Sequence, residues 1–212
     1  MQSGKLITFE GLDGCGKSTQ LEKAKKWLAL QGFEAIKTQQ PGGTRIGKQI
    51  RKILLNPVHK ELHPESELLL YLSDRIQHLT ETILPAKAEG KIVLCDRFHD
   101  STLAYQGYGR GLNLKSIESI ITYSIKPYTP DLTFLLTISP TTVVNRLDQR
   151  KEQSAKDRLD IESSKFFERT AKGYLELASA DPKRFVCLDG EEEIEVIHQK
   201  IISELQDRFS IV

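Results

Sequence analysis

Gly11, Gly14 and Gly16 stand just before Lys17-Ser18-Thr19, at the end of an apolar run, Leu6-Ile7-Thr8-Phe9, that reads as a β-strand. A glycine, four residues and then Gly-Lys-Ser is the spacing of a loop that wraps a polyphosphate, provided that a strand precedes it and a helix follows. Both flanks are present, because residues 20–31 place Leu21, Ala24, Trp27 and Leu28 on one helical face. Backbone N–H groups converge on phosphate oxygens only where the chain takes positive φ without Cβ bulk, which glycine allows. The helix that follows points its free N–H groups and the positive end of its dipole at the same anion. Gly11, Leu12, Asp13, Gly14, Cys15, Gly16, Lys17, Ser18 and Thr19 therefore form a candidate cradle for the polyphosphate of a bound cofactor. Lys17 is the residue to reach the β- and γ-phosphates, and the Ser18 hydroxyl the one to ligate Mg²⁺.

A second pair of chemical groups lies at Asp96-Arg97, where the apolar run 91–95 ends. The carboxyl ends of strands are where open α/β sheets gather ligands, and a carboxylate there holds Mg²⁺ directly or through water. Arg97 supplies a planar fork suited to phosphate oxygens. A strand-end ion pair is the plainer alternative, and the phosphate loop in the same sheet argues against it.

Positioning these groups falls to alternating strands and helices. Strands are expected at 5–10, 33–38, 91–95, 132–138 and 184–188. Helices are expected at 20–31, 44–55, 64–84, 114–125, from 139, at 160–180 and at 191–209. Thr44 is placed to cap the second helix, Asn56-Pro57 to close it, and Gly32 to stop the first. Residues 101–111 mix a helical start with Gly107, Gly109 and Gly111, which suggests a loop shaped around something. Residues 149–158 are rich in charge, break the apolar periodicity and read as a flap or lid. The alternation predicts a parallel α/β sheet with right-handed crossovers, five-stranded and flanked by helices in three layers of the phosphate-loop NTPase type.

The 212 residues suit one domain, 1–212, with the lid inside it. With 39% hydrophobic and 28% charged residues, the chain has the profile of a soluble globular enzyme rather than a disordered one. A net charge of +1 gives no basic stripe for nucleic acid. Cys15, Cys95 and Cys187 are isolated and odd in number, so neither a disulfide framework nor a zinc cluster is expected. Cys95 and Cys187 read as buried strand residues and Cys15 as small filler. The five histidines show no metal spacing, and none is assigned a catalytic role. No apolar run suggests a membrane span or signal sequence, so a cytoplasmic location is expected.

The run from Asp96 to Gly111, DRFHDSTLAYQGYGRG, together with the phosphate loop closely resembles the bacterial thymidylate kinases. Pro41-Gly42-Gly43-Thr44 resembles that family's second loop, and Leu68 through Arg75 its base-binding helix. Phe166-Phe167-Glu168-Arg169 with Tyr174 through Ala178 resembles the helix after its lid. The resemblance implies transfer of the ATP γ-phosphoryl group to the 5′-phosphate of dTMP, assistance by Mg²⁺, and a homodimer. It places Tyr71 where thymine stacks, Arg75 and Gln106 where the base is hydrogen-bonded, and Tyr105 where a ribose 2′-OH is crowded out. Thr102 falls in the same substrate-contacting run. Arg97 matches an arginine on the acceptor phosphate, Arg51 one near the same nucleotide, and Asp13 an acidic residue facing the acceptor sugar, its phosphate or the metal. The 188–190 stretch matches one that passes close to adenine.

Phosphoryl transfer to an anionic acceptor needs alignment and charge neutralisation more than a protein base, so cations are the expected catalysts. The loop segment Gly14-Cys15-Gly16 carries no arginine, and the resemblance implies that lid residues supply it. Among Arg146, Arg150, Lys151, Lys156 and Arg158, Arg150 and Arg158 are favoured to close over the transferring group, with Lys17, Arg97 and Asp13 completing the catalytic set. One departure stands out: Gln39-Gln40 occupies the place of an Arg-Glu pair common in the family, so either Arg45 or Arg51 compensates or affinity for the monophosphate is lower. Kinases for other monophosphates and a partner-regulating ATPase are the rival functions; no guanine-binding motif supports a GTPase.

Overall fold

The computed structural model describes residues 4–125, 128–139, 141–143, 145–146, 157–209 and 211. Five parallel strands form one sheet in the order β2-β3-β1-β4-β5: β1 Lys5–Glu10, β2 Ala35–Gln39, β3 Ile92–Asp96, β4 Leu132–Thr137 and β5 Phe185–Asp189. The three central strands are close to continuous apolar runs, as a strand covered on both faces must be. Leu6, Ile7, Phe9, Val93, Leu94, Cys95, Phe134 and Leu136 are all buried. The edge strands β2 and β5 are only partly covered, and Cys187 on β5 is exposed rather than buried as its apolar run suggests.

Helices cover both faces. On one side lie α1 (Lys17–Leu30), α7 (Ser164–Ala180) and α8 (Ile194–Phe209); on the other lie α3 (Pro64–His78), α4 (Leu84–Ala88) and α6 (Leu114–Ile125). Between β2 and α3, α2 (Arg45–Leu55) begins at Thr44, whose hydroxyl accepts from Gly47 N–H at 2.9 Å as a cap should. Ser163 caps α7 in the same way. None of the helices among the described residues is long and apolar enough to cross a membrane.

Two segments differ from the sequence expectation. The helix begun at Pro64 does not end near Leu84; a π-helical turn, Leu79–Ile83, widens it so that it passes Pro85, which lacks an N–H, and continues as α4. The glycine-rich 101–111 stretch is not a loop. It continues the short helix α5 (His99–Thr102) as a π-helical segment, Leu103–Gly109, packed against α7. Gly109 and Gly173 are small because the two helices meet there: a Cβ on Gly109 would lie 2.7 Å from Thr170 Oγ1, and one on Gly173 2.6 Å from the Tyr108 ring.

Candidate active site

The site lies on the carboxyl edge of the sheet, where Gln39, Asp96 and Phe9 stand side by side in register. From β1 the chain turns at Gly11, whose φ of 131° and whose missing Cβ, which would lie 2.2 Å from the Leu136 carbonyl, leave room for no other residue. Gly16 takes φ 99° at the start of α1, so the first N–H groups of that helix open into the cleft. Lys17 is folded back into the loop, with Nζ donating to the Gly11 carbonyl at 3.1 Å and the Leu12 carbonyl at 2.8 Å. Ser18 Oγ donates to Asp96 Oδ2 at 2.9 Å, which joins the two residues expected near a metal.

Arg97 sits at the crossing of all these elements. Its φ of 70° makes it the one non-glycine residue with positive φ among the described residues. That conformation is fixed on both sides, because Arg97 N–H donates to the Phe9 carbonyl at 3.0 Å and Phe98 N–H to Glu10 Oε1 at 2.6 Å. Its guanidinium donates to Asp13 Oδ1 at 2.9 Å, Tyr105 OH at 3.0 Å, Ser101 Oγ at 3.1 Å and Tyr174 OH at 3.0 Å. Burial alone would lower its pKa; Asp13, the Tyr105 and Tyr174 phenols and Asp96 reverse that, so the charge is secure. Glu10 lies beneath, wholly buried, accepting from Ser101 Oγ at 2.6 Å and Tyr174 OH at 2.9 Å. Burial and then the charge of Asp100 push its carboxyl up to about 7, against the pull of Arg97 and the hydrogen bonds.

Beside Arg97 opens a cavity lined by Pro41, Leu55, Tyr71, Arg75, Thr102, Tyr105, Gln106, Asp157 and Leu159 among others. Arg75, 2% exposed, gives Nε to Gln40 Oε1 at 2.8 Å, Nη1 to Thr102 Oγ1 at 2.7 Å and Nη2 to the Phe98 carbonyl at 3.0 Å. These partners are all neutral; the nearby charges acting on the guanidinium are Asp74, Glu10 and Asp100. Gln40 is held in turn by His78 Nδ1 at 2.9 Å, and His78 Nε2 meets Thr38 Oγ1 at 2.6 Å. Burial and Arg75 push His78 down to about 4, so the ring is a neutral spacer. Burial first, and Glu67 next, raise the Tyr71 phenol above its usual range, which leaves it neutral at the cavity wall. Asp13, Gln40, Arg51 and Arg97 line both this cavity and the phosphate-loop cleft.

The basic residues expected on the lid divide. Arg150, Lys151 and Lys156 lie outside the described residues, as do residues 149–156 of the lid segment. Arg158 is buried away from the phosphate loop, donating to Glu67 and, at 2.8 Å, to the Leu54 carbonyl. Its guanidinium is thus engaged with Glu67 here, not with the phosphate loop over which it was expected to close. Arg146 is the lid-side cation found on the loop, with Nη1 donating to the Gly14 carbonyl at 2.8 Å and to the Gly190 carbonyl at 3.4 Å. It thereby joins the phosphate loop to the 188–190 stretch.

The thymidylate kinase family model matches residues 9–201, from the end of β1 through the phosphate loop to the first half of α8. The chain belongs to the thymidylate kinase family. A thymidylate kinase from Pelotomaculum thermopropionicum is 42% identical over 204 residues, 96% of this chain and 94% of the relative. One from a Geobacillus species is 40% identical over 205 residues, 97% of each chain. The crystal structure of thymidylate kinase from Ehrlichia chaffeensis superposes with a TM-score of 0.79 at 30% identity, covering 97% of this chain and 100% of that one. Family membership makes the protein a nucleoside monophosphate kinase, a transferase, and implies ATP as donor and dTMP as acceptor.

For a thymidylate kinase site, sequence reasoning passed over Glu10, Glu67, Gln40, His78 and Tyr174. Two of them left a trace. Glu10 is the one acidic residue of β1, at the end of a strand that is buried from Leu6 onward. Glu67, Tyr71 and Arg75 follow one another at four-residue spacing on α3, so they share a helical face. Gln40 enters the sequence reading only as half of the pair replacing Arg-Glu, Tyr174 only within the run after the lid, and His78 carries no mark.

Proposed function

We propose that this enzyme transfers the γ-phosphoryl group of ATP to the 5′-phosphate of dTMP, giving dTDP for dTTP synthesis, with the donor on the phosphate loop and the acceptor in the cavity beside it. The observation that supports this reading is the shared wall: Asp13, Gln40, Arg51 and Arg97 face both compartments, so two bound phosphates meet across it. Gly11 through Thr19 hold the donor phosphates, and Lys17 exchanges its carbonyl partners for their oxygens. Tyr71 stacks on thymine, Arg75 and Gln106 hydrogen-bond its edge, Tyr105 crowds the sugar face, Thr102 orients Arg75, and Arg51 with Arg97 holds the acceptor phosphate. A phosphate oxygen of dTMP attacks the γ-phosphorus in line, the bond to the β-phosphate oxygen breaks, and ADP leaves.

The Ser18 hydroxyl and Asp96 carboxylate, 2.9 Å apart, are a hard oxygen pair of the kind Mg²⁺ accepts, and one or two protein ligands are what that ion takes beside a nucleotide. Mg²⁺ supplies charge neutralisation on the donor phosphates. Asp13 keeps Arg97 oriented, Arg150 and the rest of 149–158 act as the lid within a single 1–212 kinase domain, and Arg158 anchors the lid's far end. The active form is a cytoplasmic homodimer with no nucleic-acid or membrane partner.

The test is ADP release in a coupled assay with dTMP, dUMP, UMP, CMP and AMP. Strong preference for dTMP is the expected result. ATP consumption that is equally fast without an acceptor, or no dTDP formed when dTMP is present, refutes the proposal.

A further inference from the structure

Glu67, in the first turn of α3, is 0% exposed. Its two oxygens accept from Gln106 Nε2 at 2.8 Å, Arg110 Nε at 3.3 Å, Arg110 Nη2 at 3.1 Å and Arg158 Nη2. Burial opposes the charge of this carboxyl, but the two guanidiniums and Gln106 outweigh it and hold the group below the usual carboxylate range. An ionised carboxylate has no hydrogen to give, so whatever bonds to it must donate. That decides how the Gln106 amide is turned. Its NH₂ end faces Glu67, and Oε1, which takes no hydrogen bond from any described residue, is the end left to the cavity that Gln106 lines. Arg75, on the same cavity, carries donors only.

We propose that Glu67 is a positioning residue for base selection: by fixing the Gln106 amide carbonyl-inward, it gives the cavity a donor at Arg75 and an acceptor at Gln106, the complement of a pyrimidine with a 4-carbonyl and an N3–H. This rests on the thymidylate kinase reading of the site. Thymine answers the pattern with its C4 oxygen on the donor and its N3–H on the acceptor. Cytosine opposes it twice, setting an amino group against a guanidinium and a bare N3 lone pair against a carbonyl oxygen. Were Gln106 free to turn over, its NH₂ would meet the cytosine N3 and half of that opposition would vanish. Glu67 forbids the turn only because it is charged. A neutral amide at position 67 has both a donor and an acceptor, so either end of Gln106 finds a partner there.

The test compares kcat/KM for dTMP and dCMP in the unaltered enzyme, Glu67→Gln, Gln106→Leu and the double variant. In Glu67→Gln the dTMP-to-dCMP ratio is expected to fall about tenfold, the size of one mispaired hydrogen bond, with the change carried by KM rather than kcat. Gln106→Leu is expected to lower the ratio at least as far, and the double variant no further than Gln106→Leu alone, since Glu67 acts through Gln106. A Glu67→Gln enzyme that loses rate on both substrates equally, with its ratio intact, overturns the proposal; so does a double variant that discriminates less well than Gln106→Leu. Should Glu67→Gln not fold, neutron diffraction of the unaltered enzyme with dTMP decides the matter. Deuterium on Gln106 directed at Glu67 supports the proposal, and deuterium directed at the base overturns it. An unaltered enzyme with no preference for dTMP over dCMP overturns the proposed function itself, a failure distinct from an altered enzyme that keeps its preference.

Discussion

Glu10→Gln is the most informative single change, because it removes one titration from the centre of the site while keeping the side chain's shape. The amide oxygen still accepts from Phe98 N–H, and Ser101 and Tyr174 can rotate their hydroxyls to receive the NH₂ group. Only the charge goes. In the folded enzyme the Glu10 carboxyl titrates at about 7, against 4.5 for an exposed glutamate. Between those two pH values the folded state holds a proton that the unfolded chain has released, so stability falls as pH rises. The contribution is fully present below 4.5 and is lost through 7. At about 1.4 kcal/mol per pKa unit, the loss is about 3 kcal/mol, or about 6–12 °C in melting temperature for a chain of this size. His78 and His99, both pushed down to about 4 chiefly by burial, act in the opposite direction, gaining stability from pH 4 to 6.5, but they titrate in both proteins and cancel in the difference. Calorimetric melting of the two proteins from pH 4.5 to 8 is the assay. The melting temperature of the unaltered enzyme relative to Glu10→Gln is expected to drop by that amount across the range. A difference that stays constant with pH refutes a raised Glu10 pKa.

Lys17→Met is expected to abolish phosphoryl transfer while the circular dichroism spectrum stays unchanged; near-normal turnover contradicts the phosphate-loop assignment. Arg75→Ala removes the donor from Gln40, Thr102 and the Phe98 carbonyl, so KM for dTMP should rise about tenfold or more and KM for ATP far less, and equal changes in the two constants count against it. Arg51, which donates to the Pro41 carbonyl at 2.9 Å and lines both compartments, is expected to stand in for the arginine that Gln39 displaces. Arg51→Ala should therefore raise KM for dTMP about tenfold, and adding Gln39→Arg should restore part of it; no restoration removes the reason for assigning that role to Arg51.

The parts of this protein that a sequence exposes are those written in consecutive residues. The phosphate loop, the five strands, the Thr44 cap and the 114–125 helix all depend on local spacing, and each lies within a residue or two of its expected place. The family resemblance also rested on contiguous runs, which is why it reached Tyr71, Arg75 and Gln106 on the cavity wall. What stayed hidden depends on distance along the chain. Glu10 acquires its meaning from Phe98, Ser101 and Tyr174, up to 164 residues away, and Glu67 from Gln106, Arg110 and Arg158. The π-helical segment Leu103–Gly109 escaped for another reason: three glycines in eleven residues look like a loop, and only the packing shows that Gly107 meets Leu114 of α6 and Gly109 meets α7, while Gly111 takes a φ of 79°. Arg158 looked like any exposed lid cation, since nothing in a charged stretch tells which member folds inward.

The Asp13–Arg97 ion pair in the wall between the two compartments has a consequence for turnover. Before any nucleotide arrives, the guanidinium is already satisfied, so an incoming monophosphate gains only the difference between its own attraction and the one it displaces. The same aspartate then stands ready to reclaim its partner once the diphosphate has formed. On the proposed reading, a bare cation in that place would grip monophosphate and diphosphate alike, and a pre-engaged one loosens its hold on both.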